Sequence, residues 1–323
     1  MEDKVGTITE FVSLVEDVCS LWGTLDSTTH PWFRGQQMAK WPLVPGLYRG
    51  RIDPVREREI LRDFKLKAVP FLNQHPGNDL EWLFVMQHYG MPTRLLDWTE
   101  SYLYALYFAV SSYEKRSDAC VWILDPWSLN KTSLGIESVP TAEEESLGGY
   151  WPTKGGKALE ASSAAAIRPT YSTARITAQK GVFTIHGSST EGLEQQAIHS
   201  TKKSEGLFRV LIRGTAKKSM LRELHRSGVT ASSVFPDLSG LCTELAFRYS
   251  KAYIGSHRRT KRKLNSKTAK RENPEKKVWT KDDLPTMLTG RKSSGKKGKR
   301  HVDSERRSRP PRERISSETA DFT

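Results

Sequence analysis

The point where apolar residues stop arriving limits what this chain can fold. From about residue 255 onward Lys, Arg, Ser, Gly and Pro take over. Such a segment cannot bury enough surface to offset its ordering entropy. Charge divides at nearly the same place. Residues 1–250 carry 28 Lys and Arg against 28 Asp and Glu, whereas residues 251–323 carry 23 against 9. The formal charge of +14 is therefore a property of the C-terminal segment alone. The sequence predicts a folded region of some 250 residues, large enough for a sizeable core, followed by a disordered basic tail over 255–323. One tail island, Val278-Trp279 to Met287-Leu288, retains apolar residues.

Within the first 250 residues, helical spacing over 7–24 gathers Ile8, Phe11, Val12, Val15, Val18 and Trp22 on one side. Residues 32–35 read as a short strand ended by glycine, and residues 41–49, with Pro42, Pro45 and Gly46, as a loop. A helix over 54–72 starts at a proline, and another over 80–88 is closed by Gly90 and Pro92. Residues 93–99 form a polar segment leading into a third helix over 101–113, apolar on almost every face and so expected to be buried. A core strand over 119–124 follows, and the pattern-poor residues 127–165 read as a long loop. Strands are expected at 182–185 and 207–212, and helices at 217–227 and 238–253. Helices interleaved with isolated strands make this an α/β or α+β chain with a single mixed helix-and-strand domain.

Several classes are excluded or expected on composition. Cys19, Cys120 and Cys242 lie far apart, which gives neither a disulfide framework nor a zinc ribbon. With no signal-like N-terminus and no membrane-length apolar run, the expectation is a cytoplasmic protein without a membrane partner. The tail segment from Gly290 to Lys297 imitates a phosphate-binding loop, but Lys297 stands where Ser or Thr is needed and no strand precedes it. The spacing of Asp97, Asp237 and Glu244 supports no metal site, so no metal is expected.

The densest motif is His88-Tyr89-Gly90-Met91-Pro92-Thr93-Arg94-Leu95-Leu96-Asp97-Trp98-Thr99, followed by Ala105-Leu106-Tyr107-Phe108-Ala109. Together with Phe33-Arg34-Gly35-Gln36, Gln179-Lys180-Gly181-Val182-Phe183-Thr184 and Phe235-Pro236-Asp237-Leu238, it resembles the FRG-domain family over roughly residues 28–250. That resemblance implies an N-terminal helix over 1–27 and an FRG-type domain over 28–254, with its core at about 28–125. A more distant resemblance, in the aromatic-Arg-Gly strand, is to Arg-type ADP-ribosyltransferases. It implies NAD as cofactor, with Thr93 or Thr99 as the hydroxyl of the second motif and Gln179 as the residue ahead of a later strand. Gln179 stands where many of those enzymes place Glu, and there is no Ser-Thr-Ser triplet.

Arg34 among Trp32, Phe33 and Gly35 needs an anionic or carbonyl partner, because an unpaired buried charge is costly. Two partners stay open: Asp97, as a structural ion pair, or a ligand phosphate gripped bidentately, with Gly35 allowing close approach. Arg94 belongs to the polar cluster that could floor a pocket, and Tyr107 is core or a ring-stacking platform. His88 reads as a core or capping histidine ahead of a base. The candidate catalytic residues are thus Gln179, Thr93 and Thr99, and the candidate cofactor-binding residues Arg34, Gly35, Arg94 and Tyr107. Two functions remain: an NAD-dependent ADP-ribosyltransferase-like enzyme, or a non-catalytic module that senses a nucleotide or similar ligand. In the second, the tail's basic runs tether it to nucleic acid electrostatically and without sequence preference.

Overall fold

The computed structural model describes residues 4–24, 30–72, 75–113, 116–150, 160–170, 173–198 and 206–250. The expected tail, its apolar island and its basic runs lie outside the described residues. In chain order the strands are β1 (Lys4–Val5), β2 (Trp32–Gln36), β3 (Leu95–Thr99), β4 (Ala119–Leu124), β5 (Ala165–Ile167), β6 (Gly181–Ile185) and β7 (Leu207–Ile212). The helices are α1 (Ile8–Leu21), α2 (Glu57–Ala68), α3 (Asp79–His88), α4 (Tyr102–Val110), α5 (Pro126–Ser133), α6 (Ala174–Gln179), α7 (Leu193–Ile198), α8 (Lys217–Arg226), α9 (Ala231–Val234) and α10 (Leu238–Arg248). Short 3-10 turns precede and follow α2 and another spans Gly46–Tyr48.

The strands form one sheet in the order β1-β7-β4-β2-β3-β6-β5. Every pairing is antiparallel except β1 with β7, so the sheet is mixed, as an α/β or α+β reading requires. Side chains alternate across it. On one face, Phe33, Val121, Ile123, Val210 and Ile212 meet α1, α4 and α8, while Leu95, Phe183 and Ile185 meet α2 and α3. On the other, Trp32, Leu96, Trp98, Trp122 and Leu124 are covered by the loop at Leu43 and by Leu193.

Residues 93–99 correct the sequence reading. They are not a connection between helices but contain a central strand, β3, paired along its whole length with β6. Leu95, Leu96, Trp98 and Thr99 are all buried, and Asp97 alone is exposed. A strand covered on both faces loses its alternation and therefore its signature. Likewise the expected loop over 127–165 contains α5, capped by Asp125, which accepts from the amides of Trp127 and Ser128. The N-cap of α4 is Ser101, while Thr99 Oγ1 accepts from the Ser101 amide one step earlier.

Gly35 sets the distance between β2 and α4. A Cβ there would lie 1.9 Å from Ala105 O and 2.7 Å from Ala109 N, both backbone atoms. Close helix–strand packing is thus what requires glycine at this position, rather than approach to a phosphate.

Candidate functional site

β2 sits between β4 and β3 but is bound to them unequally. Five register pairs join it to β4, whereas Phe33 with Thr99 is the one pair with β3. Beyond that rung the two strands part, and Arg34 reaches across, Nη1 donating to Asp97 O at 2.5 Å. The parting opens a cleft of about 590 Å³. Its walls come from β2 (Phe33, Arg34, Gly35, Gln36), β3 (Asp97, Trp98, Thr99), Trp41 and Arg49 of the loop, Gln87 of α3, Phe108 of α4, and Arg175 and Gln179 of α6.

Charge in this lining is one-sided. Three guanidinium groups, Arg34, Arg49 and Arg175, face one carboxylate, Asp97. Arg34 is largely enclosed, its side chain 17% exposed. Its Nη1 lies 3.8 Å from Asp97 Oδ2, and its buried Nε has no hydrogen-bond partner. Burial lowers its pKa, Asp97 raises it and the neighbouring Arg49 lowers it again. The Asp97 partnership foreseen from sequence therefore exists, but as a long contact to a carboxylate that is itself 55% exposed.

Asp97 is held from a second direction. Gln87 Nε2 donates to Asp97 Oδ2 at 2.9 Å, and Thr93 Oγ1 donates to Gln87 Oε1 at 2.6 Å. Thr93 is wholly buried and outside the cleft lining, so it fixes the orientation of the Gln87 amide, which in turn fixes Asp97. Thr99 Oγ1 donates to Gln179 O at 2.6 Å and Gln179 Nε2 donates to Val234 O at 3.0 Å. The Thr99 hydroxyl hydrogen and one hydrogen of the Gln179 amide are thus committed to backbone carbonyls.

Of the residues singled out from sequence, Arg34, Gly35, Thr99 and Gln179 are brought together here, while Thr93, Arg94 and Tyr107 are not. Arg94 is buried on Glu57, donating from Nε to both carboxylate oxygens at 3.0 and 2.9 Å and from Nη1 to His186 O at 3.1 Å. Its neutralisation by Glu57 is complete in itself. Tyr107 is buried between α4, α8 and α10, where burial and then Glu244 raise its pKa. His88 borders a small adjoining hollow, with its pKa lowered by burial and Arg175 and raised by Asp237. Phe108, which like Tyr107 reads from sequence as core or a ring-stacking platform, does line the cleft, whereas sequence reasoning missed Arg49, Arg175, Trp41 and Gln87; spacing carries no mark that separates a lining arginine from a solvated one. Asp97, Asp237 and Glu244 serve separate places: Asp237 caps α10 through the Gly240 amide and Glu244 pairs with Arg248.

His186, at the end of β6, is fully buried beneath this region. Its Nε2 lies 3.3 Å from Thr184 Oγ1 and its Nδ1 has no partner. Burial, then Arg34 and Arg94, lower its pKa from 6.5 to about 3. The unfolded chain therefore takes up this proton first as pH falls. Stability held above pH 6.5 is lost progressively toward pH 3, by up to about 1.4 kcal/mol per pH unit. Urea unfolding at pH 7 and pH 5 is expected to differ by roughly 2 kcal/mol from this group, and His186→Asn is expected to flatten that difference. An equal slope in the variant would reject the assignment.

Among the described residues no helix is long and apolar enough to cross a membrane. No curated protein and no solved structure matches the chain. The sequence model of the FRG domain matches residues 29–118, which run from the loop before β2 through α4. The match includes the Arg34 strand, Arg49, Gln87, Asp97, Thr99 and Phe108, and leaves α6 to add Arg175 and Gln179 from outside it. Motif and most of the cleft thus fall in one segment, and over residues 29–118 the chain carries an FRG domain.

Proposed function

We propose that the cleft between β2 and β3 binds a nucleotide-class ligand. The observation that carries this reading is the excess of guanidinium over carboxylate in a cleft large enough for a small molecule, with Arg49 close enough to disfavour the charge on Arg34. A phosphate or pyrophosphate would relieve that repulsion and take charge-assisted hydrogen bonds from planar forks. Trp41 and Phe108 supply flat apolar surface for a base, and Gln37 and Gln179 supply amides to orient it.

NAD with ADP-ribosyl transfer is the specific form of this proposal, favoured by Asp97 as the lining's carboxylate. As the nicotinamide bond breaks, positive charge develops on the ribose. Asp97, with Gln179 in the same lining, would stabilise that charge, and Thr93 would act indirectly by orienting Gln87. If the ligand is bound without reaction, the same cleft is a sensor. The basic residues 251–323 would add a sequence-blind contact to nucleic acid phosphates in either case.

Calorimetry with ADP, ADP-ribose, NAD and pyrophosphate tests the binding. Arg34→Lys keeps the charge but loses the fork, and should weaken binding roughly 10- to 100-fold with an unchanged thermal transition. Labelled NAD tests the transfer: nicotinamide release that disappears in Asp97→Asn, with binding retained, is expected of an enzyme. A chain ending at residue 250 should keep the cleft's ligand and lose nucleic acid. Wild-type protein that binds none of the four ligands would end the proposal.

A further inference from the structure

Helix α10 packs with its apolar side outward. Gly240, Glu244 and Phe247 face the body of the protein. A Cβ on Gly240 would lie 1.9 Å from Phe235 O, so the helix is seated as closely as backbone permits. The opposite side carries Leu238 (80% exposed), Leu241 (43%), Leu245 (39%) and Tyr249 (71%), with exposed Cys242 among them. At about 100° per residue these five side chains fall within a single stripe roughly 100° wide. Exposed leucines at this spacing form an apolar stripe of the kind that packs against a second helix, and among the described residues none covers it.

We propose that α10 is a homodimerisation helix, two copies packing antiparallel about a two-fold axis between residues 243 and 244. Charge argues for this occupant and this direction. Asp237 and Arg248 stand at opposite ends of the helix on the same flank of the stripe. Antiparallel pairing brings the same flanks together and sets each Asp237 beside the partner's Arg248, whereas parallel pairing carries the flank to the opposite side of the seam and leaves both without this partner. Arg248 already pairs with Glu244 at 3.0 Å, yet its side chain is 55% exposed and can take a second carboxylate. The same register sets Leu238 level with the partner's Tyr249 and Cys242 level with the partner's Leu245. One surface patch is therefore complementary to itself, as an isologous interface demands. A stripe on a three-turn helix buries less than the ~800 Å² per partner of a stable interface, so the dimer is weak, with a Kd on the order of micromolar. None of these residues lines the cleft, so the inference is independent of the ligand.

Sedimentation velocity of the full chain over rising concentration is the test. The wild type is expected to pass from monomer to dimer. Leu241→Glu with Leu245→Glu is expected to stay monomeric with an unchanged thermal transition, since both positions already face solvent. A short bismaleimide should join two wild-type chains through Cys242, because Cys19 and Cys120 are buried. That product should vanish in Cys242→Ser and fall at least ~10-fold in Leu245→Glu. A wild type that stays monomeric, or a dimer that survives the double substitution, overturns the proposal. A monomer in which Cys242 labels slowly would overturn it too, and would give the stripe to another segment of this chain.

Discussion

Gly35→Ala is expected to destabilise the domain by about 3 kcal/mol or more, although alanine is ordinarily the better residue in a strand. The added methyl group would meet Ala105 O at 1.9 Å and Ala109 N at 2.7 Å. Both are backbone atoms of α4, so no rotamer change can relieve the overlap, and β2 or α4 must move. β2 is central, bound to β4 on one side and to β3 on the other, so its displacement is felt across the sheet. Thermal unfolding should show a fall on the order of 10 °C for a domain of this size. A variant that unfolds like the wild type but no longer takes ligand would reverse this account, and return Gly35 to the role of admitting a phosphate.

Glu57→Ala is expected to cost about 3–5 kcal/mol, because it leaves the Arg94 guanidinium buried without its carboxylate. The side chains are 3% and 4% exposed, so water cannot substitute for the lost partner. Glu57 and Arg94 come from α2 and from the residue before β3, which makes the pair a clamp between helix and sheet. Adding Arg94→Met to Glu57→Ala should recover much of the loss, though not all, since His186 O then loses the bond from Arg94 Nη1. Urea titrations of the two single variants and the double form a complete cycle. If the double variant were less stable than the sum of both singles, the pair would not be the unit argued here.

Much of the frame was legible in the chain. β4 carries an uninterrupted apolar run and β7 one broken only by Arg209, and both appear with the bounds their patterns suggest. β3 was not legible, because adjacent Leu95 and Leu96 are both buried and erase the period-two signal. The short α6 and α9 offer too few residues for periodicity, though Thr173 and Thr230 cap them in the ordinary way. For the cleft, the residues named from the motifs that come to lie in one lining are Arg34, Gly35, Thr99 and Gln179. The motifs could not place Arg49 or Arg175, whose arrival depends on how a loop and a helix return to the sheet. In α10 the spacing gave the helix but not its orientation, since periodicity reports an apolar stripe and is silent on what covers it.

The lone rung between Phe33 and Thr99 makes the sheet mechanically two plates rather than one. On one side β1, β7, β4 and β2 are laced together, and on the other β3, β6 and β5. The joint between them resists shear through one backbone pair and the Arg34 strut to Asp97 O. A rigid molecule wedged across that seam, touching Arg34 on one plate and Asp97 on the other, would act as a second fastening. Stiffening of the joint, read as slower amide exchange at Thr99 and Arg34, would then accompany occupancy even if neither plate changed its own shape.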